Sequence, residues 1–149
     1  MKNLMRRWKK FLSENTIKLE GILAINPDDM VLSEVEAQQY MLPEEAIRIP
    51  RDKIHVTLIH QSILKPFEDQ LQKEVLPDPP GIILEDEVWE RESMGKKSWA
   101  IRLKNQEEMR EYVKQVMELL GSQNTNPEPE RVFHVSLANL TGNPHDSVR

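Results

Sequence analysis

One short pattern occurs twice in this chain, and it constrains the fold more than any other feature. Ile54-His55-Val56-Thr57-Leu58 and Phe133-His134-Val135-Ser136-Leu137 both read apolar, His, Val, hydroxyl, Leu. Each has the composition of a β-strand. On a strand, residues i and i+2 point to the same face. His55 therefore shares a face with Thr57, and His134 with Ser136. Ile54, Val56 and Leu58 pack behind the first pair; Phe133, Val135 and Leu137 pack behind the second. Each half of the chain supplies one copy. Set opposite each other, the two polar faces would form a cleft holding two imidazoles and two hydroxyls.

The remaining punctuation predicts a mixed order of helices and strands. Leu4, Met5, Trp8, Phe11 and Leu12 follow helical spacing among five basic residues, which predicts an amphipathic N-terminal helix. Ile17 to Ile25 reads as a strand ended by Asn26-Pro27-Asp28. Ser33 and Glu36 form a capping-box pattern opening a short helix towards Tyr40. Pro43 and Pro50 punctuate a connection before the strand Ile54 to His60. Pro66 suits the first turn of a helix carrying Phe67, Leu71 and Val75. Ile82–Glu90 and Ser98–Leu103 read as a hairpin joined through Ser93-Met94-Gly95-Lys96. Asn105 and Glu108 open a strong helix whose apolar stripe runs from Met109 to Leu120, and Gly121 stops it. After a polar loop, Val132 to Leu140 is the last strand, and Thr141 to Arg149 is a tail rich in turn formers.

Composition excludes several classes. The 149 residues suit one domain, 1–149, of α+β class. Net charge is −5, which argues against a nucleic-acid coat but not against a small nucleotide ligand. Cysteine is absent, so there is no disulfide framework, thiolate metal site or cysteine nucleophile. Neither GxGxxG nor GxxxxGK[ST] occurs. No signal-peptide core or membrane-length apolar run is present, and the expectation is a soluble cytoplasmic protein. The acidic runs lack metal-ligand spacing, so no metal and no other cofactor is expected.

Two imidazoles beside two hydroxyls suit phosphodiester cleavage. A neutral imidazole takes a proton from the attacking oxygen, and an imidazolium gives one to the leaving oxygen. An ordinary pKa of about 6.5 keeps both forms accessible near neutrality. The hydroxyls can donate to the non-bridging phosphate oxygens. His55, Thr57, His134 and Ser136 are therefore the candidate catalytic residues.

These motifs resemble the two-histidine phosphoesterase superfamily, whose signature is two H-x-[ST] motifs on strands of a two-lobed, pseudo-symmetric α+β fold. Lys53-Ile-His-Val-Thr-Leu-Ile-His-Gln61 and His134-Val-Ser-Leu-Ala-Asn-Leu-Thr-Gly-Asn-Pro144 are most similar to the bacteriophage anti-CBASS phosphodiesterases. The resemblance implies a central cleft between antiparallel sheets flanked by helices. It also implies a metal-independent phosphodiesterase acting in the host bacterial cytoplasm. Its substrates would be cyclic di- and trinucleotide immune messengers such as cyclic GMP–AMP. A ribose 2′-hydroxyl would attack a 3′–5′ linkage, with His55 and His134 as the acid–base pair and Thr57 and Ser136 on the phosphate. An RNA 2′,3′-cyclic phosphodiesterase would use the same four residues, and a non-catalytic cyclic-nucleotide sponge is a further alternative. No protein partner, membrane or double-stranded nucleic acid is expected.

Other residues are candidates for the pocket wall. A nucleobase needs a flat partner, and Trp99 and Tyr40 lead that group, ahead of Trp89 and Trp8. Phosphate needs a cation: Lys53 should share the face of His55, whereas Arg131 falls on the face opposite His134. His60 points away from His55 on a regular strand, and no motif assigns His145 a role.

Overall fold

The computed structural model describes residues 16–19 and 21–148. The expected N-terminal helix, with Trp8, lies outside the described residues. Among the described residues, seven strands form one antiparallel sheet: β1 (Thr16–Leu19), β2 (Leu23–Asn26), β3 (Ile47–Arg48), β4 (Val56–Ile59), β5 (Leu84–Ser93), β6 (Lys96–Leu103) and β7 (His134–Asn139). The order is β1-β2-β4-β7-β6-β5, with β3 also pairing β7. The two motif strands are therefore neighbours at the centre of the sheet. The segment expected as one strand from Ile17 to Ile25 is the β1–β2 hairpin, which turns at Gly21 with φ +82°.

The helices are α1 (Asp29–Gln39), α2 (Gln61–Leu64), α3 (Glu68–Lys73) and α4 (Gln106–Leu119). Helix α1 starts four residues before the expected Ser33. Asp28 caps it, accepting from the Val31 amide at 2.8 Å. Ser33 lies inside the helix and donates to the Asp29 carbonyl. An aspartate directly after Pro27 is already a strong cap, so the later Ser–Glu pair is not needed as a start. Pro66 sits in a 3₁₀ turn (Lys65–Phe67) between α2 and α3 rather than opening one longer helix.

Helix α4 matches its stripe: Met109, Tyr112, Val113, Val116 and Met117 are buried. Its end is a Schellman motif, with Ser122 N–H on the Met117 carbonyl and Gly121 N–H on the Glu118 carbonyl, Gly121 taking φ +78°. Asn105 and Glu108 do meet, side chain to side chain at 2.7 Å, but no Asn105 side-chain bond caps the helix backbone.

The core gathers Val56, Leu58, Val135, Leu137, Ile101 and Leu103 from the sheet with the stripe of α4 and Val31 and Val35 of α1. Gln39 ties α1 to the sheet: its buried amide donates to the carbonyls of Leu137 (2.8 Å) and Ile49 (3.1 Å). The apolar residues behind each histidine thus anchor both motif strands, and the opposite face of the sheet carries the polar residues. Among the described residues, no helix is long and apolar enough to cross a membrane.

Candidate active site

Strands β4 and β7 run antiparallel with Val56 opposite Val135. Continuing that register by one residue each way sets His55 opposite Ser136 and Thr57 opposite His134. Directly opposed residues share a face, with Cβ atoms about 4.5–5.5 Å apart. All four motif residues therefore occupy one patch. A half-turn about the Val56–Val135 pair exchanges one motif for the other. The expected cleft between facing sheets is replaced by a side-by-side arrangement in a single sheet. Period-2 alternation fixed which residues share a face; it carries no information on whether two such faces oppose or adjoin.

The two imidazoles are held alike. His55 Nδ1 lies 2.8 Å from the Lys53 carbonyl, and His134 Nδ1 lies 2.9 Å from the Val132 carbonyl. A carbonyl only accepts, so each Nδ1 carries the proton and donates. Each ring presents Nε2 as its proton-exchanging nitrogen. Neither Nε2 nor the Thr57 and Ser136 hydroxyls has a hydrogen-bond partner among the described residues, although all four side chains are only half-buried. The patch thus offers two nitrogens and two hydroxyls to a ligand.

Their surroundings differ. Trp89 meets His134 edge to face, with ring centroids 5.7 Å apart and an interplanar angle of 83°. Burial pushes the His134 imidazole below its ordinary value. The Val132 carbonyl opposes this, while the positive charges of Arg91 and Arg131 and the second imidazole, His55, push it lower. The lowered value favours the neutral imidazole of His134.

The structure corrects the expected pocket wall. Trp99 is 1 % exposed and belongs to the core, so it cannot stack on a base. Its neighbour Ala100 pairs with Ser136 on the site face, and alternation sends Trp99 to the other side. Trp89, which pairs with Ala100, is an aromatic residue of the site face. Arg131 is bound to Glu128 at 2.7 Å and lines a small recess with Leu58, Val113 and Phe133, all core-side residues. It bears on His134 through its charge. Lys53 contributes its carbonyl to His55, and its side chain is exposed. Tyr40 is 73 % exposed beyond the end of α1, with the Arg48 guanidinium 4.5 Å from its ring centroid.

Sequence reasoning missed two cations. Arg102 lies directly across from His134, and Arg91 lies two residues beyond Trp89 on β5, opposite Ser98. Both guanidiniums lie over the Trp89 ring, at 4.5 Å for Arg91 and 5.4 Å for Arg102. The spacing Trp89-x-Arg91 was the available signal. His60 caps the start of α2, its Nδ1 accepting from the Ser62 amide. His145 is exposed in the tail. Among the described residues, no three His, Asp or Glu side chains gather as a metal-binding group.

Neither a scan of protein-family models nor searches of curated proteins and of solved structures return a match to this chain.

Proposed function

We propose that this protein is a metal-independent phosphodiesterase of the two-histidine type, cleaving 3′–5′ linkages of cyclic di- and trinucleotide immune messengers. Such a protein would let a bacteriophage escape CBASS defence. The observation that carries the reading is the register of β4 on β7, which gathers both imidazoles and both hydroxyls on one face.

In the proposed reaction the scissile phosphate lies over the seam between the two strands. Neutral His134 takes the proton of the ribose 2′-hydroxyl through Nε2. The 2′-oxygen bonds to phosphorus while the bond from phosphorus to the 5′-oxygen breaks. Protonated His55 gives its proton to that 5′-oxygen. The products of this step are a free 5′-hydroxyl and a 2′,3′-cyclic phosphate. Thr57 and Ser136 donate to the non-bridging oxygens, whose charge grows in the transition state. If water then opens the cyclic phosphate, the two histidines exchange roles, as their matched Nδ1 anchoring allows.

The test compares turnover of 3′,3′-cyclic GMP–AMP with that of an RNA oligomer ending in a 2′,3′-cyclic phosphate, both in excess EDTA. The reading expects the ring to be linearised and preferred. Preference for the RNA end would assign the same four residues to the RNA enzyme. Recovery of unchanged cyclic nucleotide from a tight complex would make the protein a sponge.

A further inference from the structure

The β5–β6 side of the site face carries two arginines. The four motif residues straddle the β4–β7 seam, and a phosphate between the imidazoles sits there. Arg102 and Arg91 lie to one side only, on β6 and β5. Neighbouring strands are about 4.8 Å apart, so Arg102 arises about one strand width beyond His134, while Arg91 arises two strands over and further along, in the row of Ser98 and Asn139. On the other side of the seam, β2 places the buried Ala24 opposite Thr57.

Both arginines are positioned rather than loose. Trp89 lies beneath both guanidiniums. Arg102 meets Glu85 through Nε at 3.2 Å, a contact that does not engage its two Nη groups. Arg91 donates through Nη1 to the Val148 carbonyl at 3.4 Å, and Val148 is itself fixed by its amide on the Ser98 hydroxyl at 2.6 Å. The tail thus braces Arg91 against the sheet. A chain of net charge −5 here sets two arginines over one aromatic ring beside a motif histidine.

We propose that Arg91 and Arg102 form a second phosphate subsite, off the β4–β7 seam, which selects substrates carrying a phosphate besides the one being cleaved. The inference rests on the phosphodiesterase reading and deepens it. A cyclic dinucleotide has a second phosphate to give this subsite, whereas a terminal cyclic mononucleotide has none. Specificity for the ring then arises from the β5–β6 hairpin and not from the histidine motifs.

Binding tests the subsite apart from the chemistry. Isothermal titration would use the full chain on a His55→Ala background, with 3′,3′-cyclic GMP–AMP and 2′,3′-cyclic AMP as probes. Arg91→Gln and Arg102→Gln are each expected to weaken the dinucleotide about 10- to 100-fold, the range for losing a charge-assisted contact. That loss should exceed the loss on the mononucleotide by about tenfold or more. Arg91→Lys and Arg102→Lys keep the charge and should recover part of the affinity, which separates the subsite from a folding defect. Equal losses on both probes would place the arginines on the scissile phosphate and overturn the proposal. So would no loss on either, or a dinucleotide bound no tighter than the mononucleotide. Turnover by the unaltered chain in EDTA is read separately: failure there overturns the phosphodiesterase reading while the ratio of affinities still decides the subsite.

Discussion

The half-site around His55 and the half-site around His134 share a motif but not an environment. Each ring is locked by Nδ1 on the carbonyl two residues earlier. Each faces the hydroxyl residue of the other strand. The difference lies outside the motif. His134 has Trp89 against its edge and arginine charge nearby, and its pKa is held down. His55 follows a 3₁₀ turn (Arg51–Lys53) at the start of β4, away from the β5–β6 hairpin. A symmetric pair of motifs thus sits in asymmetric surroundings, set by what the neighbouring strands supply.

The largest effect should come from breaking the pair itself. His55→Ala and His134→Ala are each expected to lower kcat by about 10²–10⁴, the usual worth of positioned proton transfer. The double variant should lose far less than the product of the two, because the groups act as a unit. Multiplicative losses would mean that the histidines act independently. Next come the hydroxyls: Thr57→Val and Ser136→Ala should each cost about 10- to 100-fold in kcat with little change in KM, as expected for contacts that strengthen in the transition state. A pure KM effect would assign them to ground-state binding.

Trp89 sharpens the comparison directly. The acid limb of kcat/KM should fall below pH 6.5, since His134 must be neutral to accept a proton. Trp89→Ala opens that ring to water and should move the limb upward, with Trp89→Phe moving it less. An unmoved limb would show that Trp89 does not set the difference between the half-sites.

The smallest effect is on stability. In the unfolded chain His134 takes up its proton near pH 6.5. The native ring resists protonation until lower pH. The unfolded state therefore gains as pH falls below about 6.5, and the loss of native stability levels off below the native pKa. Denaturant melts across that window should show this slope, and His134→Gln should remove its share of it. The same slope in both proteins would locate it elsewhere.

How much of this was legible in sequence depends on the range of the interaction. Alternation within five residues told which side chains accompany each histidine, and the α4 stripe and Gly121 stop were equally local. Side-by-side pairing of Val56 with Val135 is a contact between distant parts of the chain, and no local pattern carries it. The exchange of Trp99 for Trp89 has the same origin. Which face each takes is set by pairing to β7, where Ala100 meets Ser136. Arg91 and Arg102 meet over one ring only through the pairing of β5 with β6.

The most direct test of the account is chromatography of 3′,3′-cyclic GMP–AMP after incubation with the protein in excess EDTA, with His55→Ala and His134→Ala alongside. The account predicts a linear product ending in a 2′,3′-cyclic phosphate or a 3′-phosphate from the unaltered chain, and large losses in both variants. Intact substrate with folded, unaltered protein, or equal turnover in all three, would contradict it.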